Sequence, residues 1–545
     1  MELKKAIQGD EARQKLFNGL KTVADIVSKT AGPGGRNIAI QESWGAPSLT
    51  KDGIKTARSI KLSGAEGEGA KILVQASDKT NRMAGDGTTN TCIIAKAIAE
   101  EGLKAISKGV KSTYIKRGID KAVAEFVEEL KKHSKKIETN EEIHQVATIS
   151  ANGDKEIGDI ISNAIKTVGE NGVITVEEAK SLTTELEVIE GLQFDQGYLS
   201  PYFVNNPVKQ IVELEKPLIF LYDGKISSLK SIVKILEFAS NTGSPLVIIA
   251  DDVENEALTS LVLNQMKGAL KTCAIKSPSF GDIRKHIMED IAVLTGGTFI
   301  STQFGKKLED LKMDCLGMCE KIKVTPTETT IIGGCGDTEK LLERMNNISE
   351  EIKTTTSEYD REKLQERLAK LAGGVAVIKV GGATEIDVKE KKDRVDDAAC
   401  ATRAALEEGI VPGGGISLIK IAKQLKEANR KPFETTDEEI GYQIVLKAVE
   451  SQLKVIAENV GKSGEVIVEK IKENNNFNYG YDAREDRFGD LMEFGIVDAT
   501  KVVRCSLENG SSVSGSLLTV EGLIIDDIEE NIKMNSLLKS YQMGM

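Results

Sequence analysis

Ala84-Gly85-Asp86-Gly87-Thr88-Thr89-Asn90-Thr91 decides how this chain is read. It precedes an apolar run, Cys92-Ile93-Ile94-Ala95, that continues to Glu100-Glu101-Gly102. The pattern predicts a glycine-flanked turn feeding a helix that stops at Gly102. Such a turn sets free backbone N–H groups, two hydroxyls and one carboxylate at a helix N-terminus. Unpaired N–H groups and the positive end of the helix dipole attract phosphate there. A carboxylate beside phosphate is repelled unless a cation bridges them, so Asp86 points to Mg²⁺. Taken alone, the same residues also read as an ordinary capped turn.

Companion loops raise the reading above an isolated turn. Thr30-Ala31-Gly32-Pro33-Gly34-Gly35-Arg36-Asn37 is a second glycine-rich loop, Lys51-Asp52-Gly53 a tight turn with a charged pair, and Gly413-Gly414-Gly415 follows a helix ending at Glu408-Gly409. Further segments follow in order: Arg117-Gly118-Ile119-Asp120-Lys121-Ala122-Val123, Thr148-Ile149-Ser150-Ala151-Asn152, Gly197-Tyr198-Leu199-Ser200-Pro201-Tyr202-Phe203, Tyr359-Asp360-Arg361-Glu362-Lys363-Leu364-Gln365-Glu366-Arg367 and Leu371-Ala372-Gly373-Gly374-Val375-Ala376-Val377-Ile378. Together they resemble the group I chaperonins, the GroEL/Hsp60 family, and the resemblance runs through nearly the whole chain.

Composition sets bounds. At 545 residues the chain exceeds what one core usually supports, so two to four domains are expected. Apolar residues at 40% with 29% charged fit a globular protein. A net charge of −12 argues against nucleic acid as a partner. No run of eighteen apolar residues suggests a membrane span, and residues 1–13 lack the apolar stretch of a secretory signal. The expectation is a bacterial cytosol, although an organellar chain after removal of its leader reads the same. Seven scattered cysteines suit a reducing compartment. Cys315 and Cys319 could share a helix face, but three histidines and no CxxC pair make zinc a poor fit. There is no GxxxxGK[ST] loop, hence no P-loop fold.

Helical spacing recurs at Leu16, Leu20, Val23, Ala24 and Val27, again over residues 114–130, and over 440–472. The middle differs. Strand-like runs at 218–222, 245–250 and 272–276 alternate with helical patterns at 229–240 and 254–267, which predicts a parallel α/β domain. The resemblance implies a multidomain α and α/β fold. A mainly helical equatorial ATPase domain would span 1–132 and 408–545. A small intermediate hinge domain would take 133–189 and 376–407, and an inserted α/β apical domain 190–375.

The resemblance also implies the sites. Thr30, Ala31, Gly32 and Pro33, with Asp86, Gly87, Thr88, Thr89 and Asn90, would surround the phosphates of ATP, with Lys51 nearby and Asp86 on Mg²⁺; K⁺ would assist. Gly414 would let the backbone approach the nucleoside, and Asp482, Ala483 and Asp498 would meet base and ribose. Asp397 matches the family's water-orienting carboxylate and Asp52 a second contributor near the γ-phosphate. Asp397 would reach the phosphate on hinge closure. From position alone, Asp397 equally reads as an acid near a helix N-terminus.

In residues 254–267 the apolar positions cover more than one helix face, and residues 229–236 do the same. Pattern alone favours a buried helix pair. The resemblance implies instead an exposed groove of Tyr198, Tyr202, Phe203, Val233, Leu236, Leu258, Val262 and Leu263, which takes unfolded polypeptides and the mobile loop of a GroES/Hsp10-like co-chaperonin. It further implies a homo-oligomer, a heptameric double ring. Some positions depart from the family's usual residues: Arg82 and Pro326 stand where Asp and Lys would pair, Gln196 where an Arg would, Ala31 and Gly34 alter the first loop, and residues 539–545 lack a Gly-Gly-Met repeat. A specialised, non-cycling holdase or moonlighting paralogue is the alternative.

Overall fold

The computed structural model describes all residues except 1–3, 42–46, 152, 170–171, 180, 208, 302–312, 356, 429–431 and 528–545. Asn152 and the tail at 539–545 therefore lie outside the described residues. The chain forms two compact units: residues 1–162 with 384–545, and residues 163–383, a continuous segment inserted into the first.

The first unit is built from long helices, among them Gly9–Val27, Gly64–Ala84, Thr88–Ile106, Ser112–His133, Thr436–Ala448 and Thr500–Leu518. Their apolar residues recur at helical spacing and are buried, as at Leu16, Leu20, Val23, Ala24 and Val27. Two crossings bring backbones into contact. A Cβ on Gly19 would sit 1.8 Å from Glu66 O, and one on Gly69 1.9 Å from Leu16 O. Gly118 and Gly441 do the same for Ser112–His133 against Thr436–Ala448. Strand Lys4–Gln8 pairs antiparallel with Gly522–Asp526, so the two ends of the described chain share one ribbon.

Gly102 does not stop its helix, which continues to Ile106. The glycine is there for space: a Cβ would meet Leu518 Cδ1 at 2.3 Å.

The second unit centres on strands Leu218–Ile226, Leu246–Val253 and Thr272–Lys276, parallel as expected and buried on both faces. Helices Val233–Thr242 and Asn255–Met266 alternate with them. The sheet is mixed rather than purely parallel, because Gly317–Val324, Thr329–Gly334 and Gly191–Phe194 add antiparallel strands. Cys319 lies on Gly317–Val324, so Cys315 and Cys319 share no helix face. A separate sheet joins Val173–Glu178, Val375–Val380 and Glu185–Ile189. No helix among the described residues is long and apolar enough to cross a membrane.

Candidate functional site

The turn at residues 84–91 ends one helix and begins the next. Gly85 caps Gly64–Ala84 in the left-handed region (φ 74°), and Gly87 (φ 89°) opens Thr88–Ile106. Both glycines are required. A Cβ on Gly85 would lie 2.0 Å from Cys400 Cβ, and one on Gly87 2.4 Å from Ser506 Oγ. Ser506 Oγ donates to Gly87 O at 3.0 Å and Thr91 N donates to the same carbonyl at 3.0 Å. The N–H groups ahead of Thr91 have no intrahelical acceptor, which leaves an anion-binding end.

Thr50 Oγ1 accepts from Asp52 N at 3.1 Å, and Asp52 caps helix Gly53–Ser59 by accepting from Ile54 N at 2.9 Å. Gly53 lets this turn approach the turn at residues 84–91, since a Cβ would sit 2.2 Å from Thr89 Oγ1. The first glycine loop closes the other side: Thr30 Oγ1 and Thr89 Oγ1 are 3.5 Å apart. Asn459 Nδ2 fixes that loop by donating to Ser28 O (2.9 Å) and Ala31 O (3.0 Å). Ala31 packs with Ile93 and Ile456, and Ala483 joins the same cluster.

Asp397 sits in the middle of helix Glu385–Glu408, so an N-terminal dipole role is excluded by position. Burial raises its carboxyl well above the usual range, and the neighbouring charges of Asp52 and Asp86 raise it further. The same physics acts on its partners. Burial raises Asp52, opposed by the Ile54 N–H and reinforced by Asp393. Burial raises Asp86, opposed by Gly87 N donating at 2.5 Å. Asp498 is pushed up to about 7 by burial and by Asp86, although the N–H groups of Gly414 and Gly415 lower it. It stands on strand Val497–Ala499, paired with Ile410–Pro412, and its Oδ2 is cut off from solvent without a hydrogen-bond partner. Gly414 (φ 65°) beside it has open space where a Cβ would be, and Gln452 packs against Gly415.

Charge repulsion of Asp397 by Asp52 and Asp86, and of Asp498 by Asp86, places four carboxylates in one neighbourhood, and among the described residues no Lys or Arg forms an ion pair with Asp86, Asp397 or Asp498. Like charges held together without a cation raise one another's pKa values and cost stability. No group of three among the described residues could cage a metal unaided. That suits Mg²⁺, which takes one or two carboxylates and fills its shell with phosphate oxygens and water. The orphaned Asp498 oxygen and the open face of Gly414 fit a hydroxyl-bearing ligand placed there.

Asp482 is spent on its own hairpin: Oδ1 accepts from Arg484 N (3.0 Å) and Glu485 N (3.2 Å), and Oδ2 from Arg487 Nε (3.2 Å). Lys51, Gly32 and Pro33 are exposed on their loops, and Asn90 lies in the first turn of its helix. Sequence reading missed Asn459, Ser506 and Gln452. They lie in the C-terminal part of the chain, and only the tertiary fold brings them to loops near residues 31, 87 and 415.

In the second unit, Tyr202 is 65% exposed, Leu263 47% and Met266 63%, while Tyr198, Leu236, Leu258 and Val262 are half-buried against the core. Val233 is half-buried as well. Phe203 departs from the expected exposed lining. It is fully buried, and Gln265 Nε2 donates to its carbonyl at 3.3 Å, pinning the Pro201–Phe203 turn to helix Asn255–Met266.

A family model described as the TCP-1/cpn60 chaperonin family matches residues 23–527. Among solved structures, the chaperonin gp146 from the bacteriophage EL 2 (Pseudomonas aeruginosa), crystallised in the presence of ATP-BeFx, is similar in fold. The TM-score is 0.69 at 22% identity, over 96% of this chain and 99% of that one.

Proposed function

This chain belongs to the TCP-1/cpn60 chaperonin family, and on that premise we propose that it is an ATP-driven folding machine rather than a passive holdase. The observation that carries the proposal is the clustering of Asp52, Asp86, Asp397 and Asp498 near the start of helix Thr88–Ile106, where among the described residues no Lys or Arg forms an ion pair with Asp86, Asp397 or Asp498. In this reading Asp86 holds Mg²⁺ against the phosphates of ATP, and the first-turn N–H groups with Thr30, Thr88 and Thr89 hold the phosphate oxygens. Asp397 orients the attacking water, with Asp52 beside it. Asp498 and Gly414 receive the nucleoside. When bound, Mg²⁺ supplies charge neutralisation on the transferred phosphoryl group, with K⁺ as an assisting ion.

Residues 133–189 and 376–407 would act as the hinge between the equatorial segments (1–132, 408–545) and the apical segment (190–375). Leu263, Tyr202 and the half-buried Leu236, Leu258 and Val262 would hold non-native chains, because apolar contact makes no directional demand. The same face would take the loop of a GroES/Hsp10-like lid on a heptameric double ring in a bacterial cytosol. The test is refolding of a denatured, aggregation-prone enzyme by the purified protein with ATP and a co-chaperonin. Recovery of activity that needs both supports the reading. Suppressed aggregation that ignores ATP, with no recovery, supports the non-cycling holdase.

A further inference from the structure

Away from the acidic cluster, the second unit encloses a cavity of about 270 Å³. Its two walls differ in chemistry. One is apolar, with Phe194, Ile283 and Ile287 among its residues. The other is a basic face of helix Glu358–Gly373, where Lys363, Arg367 and Lys370 fall on one side of the helix at successive turns. At the floor, Asp290 is 2% exposed and already neutralised. It accepts from Arg367 Nε (2.9 Å) and Nη2 (3.0 Å) and from Arg344 Nε (2.8 Å).

Arg344 is also held by Glu289 (2.9 Å), so Arg344 and Arg367 are balanced by Asp290 and Glu289, and the cation left over at the cavity is Lys370. Arg367 is only 9% exposed, and its Nη1 has no hydrogen-bond partner among the described residues; Lys370 makes no ion pair among them. Asp195 contributes one exposed acid at the rim. Arg367 lines the cavity, so this nitrogen can donate to an acceptor bound there. The rim carries a second mark: Ser279 holds φ 63°, strained for a non-glycine, and adjoins Phe280, which is 82% exposed.

We propose that this cavity is a binding site for a small anionic amphiphile, its carboxylate or phosphate head at Arg367 Nη1 and Lys370 and its apolar body against Phe194, Ile283 and Ile287. The volume is just below the usual range for small-molecule sites, about 300–1,000 Å³, so the body is short. A head group that accepts two hydrogen bonds satisfies the guanidinium without disturbing Asp290.

The test is calorimetric titration of the full-length protein with octanoate and with octyl phosphate, whose relative affinities identify the head group. Octanol, octylamine and inorganic phosphate serve as controls. One ligand per chain is expected, at least tenfold tighter than octanol, with octylamine silent. Lys370→Ala should weaken binding tenfold or more, and Ile287→Trp, which fills the apolar wall, should abolish it. Leu263→Ser, on the half-exposed helix face, should leave it unchanged. The proposal is overturned by absence of saturable binding, by equal affinity for octanol, or by loss in Leu263→Ser rather than Lys370→Ala. ATP hydrolysis reads out the other unit, so its failure and the failure of this site are separable.

Discussion

The two units store their working capacity in opposite forms. The first gathers buried acids, three of which have no ion-pairing Lys or Arg among the described residues, so its chemistry is a suppressed charge waiting for a ligand. The second leaves apolar side chains half out of water on helices Val233–Thr242 and Asn255–Met266 and on the Pro201–Phe203 turn, so its capacity is unburied area. The first arrangement is directional and specific: removing one oxygen changes a reaction. The second is additive and tolerant, since apolar contact scales with area and any one side chain can be spared. Substitutions should therefore break the first unit's function sharply without unfolding it, and erode the second's gradually.

The largest effect should come from Asp397→Ala. If Asp397 orients the reacting water as proposed, its loss should slow ATP turnover on the order of 10²–10⁴-fold, with nucleotide affinity nearly kept. Rapid-quench hydrolysis beside equilibrium binding checks it, and unchanged turnover removes Asp397 from the chemistry.

A contrast within one helix sharpens the comparison for the second unit. Leu261 is fully buried and Leu263 is 47% exposed. Leu261→Ala should cost about 2–5 kcal/mol and lower the unfolding midpoint of that unit. Leu263→Ser should stay within about 0.5 kcal/mol of wild type yet weaken capture of denatured protein. If Leu263→Ser destabilises as much as Leu261→Ala, the helix is packed on both sides and the exposed face has no free role.

Asn459→Ala is the next smaller effect. It strips two hydrogen bonds from the Ser28 and Ala31 carbonyls and should cost about 1–3 kcal/mol locally. Nucleotide affinity should fall several-fold while the catalytic rate of bound ATP changes little. An affinity equal to wild type would show that the first loop is held by packing alone.

The smallest effect is a tilt in pH dependence. Asp498 has a folded pKa of about 7 against 3.8 for the free side chain. A raised folded value means the native state prefers the protonated form. That contribution is fully present below about 3.8 and is lost as pH rises through about 7. Nucleotide-free wild type should lose stability across this window relative to Asp498→Asn, which cannot ionise. Parallel unfolding profiles of the two proteins from pH 4 to 8 would contradict the buried-acid account.

Much of this was legible before any coordinates. Periodicity placed the long helices, each of which buries a face at helical spacing, and short continuous apolar runs placed the alternating strands, which are buried on both faces. Asp86 and Asp52 sit in turns whose residues announce them, whereas Asp498 stands on strand Val497–Ala499 and was singled out by the resemblance. Asp397, mid-helix, has no local signature either, and only the resemblance singled it out. Gly102 misled because a glycine that makes room for Leu518 looks like one that ends a helix. Cys315 and Cys319 misled in the same way, since a spacing of four means a shared face only if the segment is helical. Phe203 reads as groove lining beside Tyr202, but the tight turn at Pro201–Phe203 sends one aromatic into the core and leaves the other 65% exposed. Asn459, Ser506 and Gln452 lay beyond reach because their partners are distant in sequence.

The central claim is that the acids of the first unit need a divalent cation and ATP together. Its most direct test is phosphate release from the purified wild-type protein, with ATP and Mg²⁺ or with ATP and excess chelator, beside ATP affinity under both conditions. The account predicts steady hydrolysis with Mg²⁺, none without it, and ATP affinity that falls at least tenfold when the metal is removed. Equal ATP affinity with and without Mg²⁺, or no hydrolysis in its presence, would contradict it.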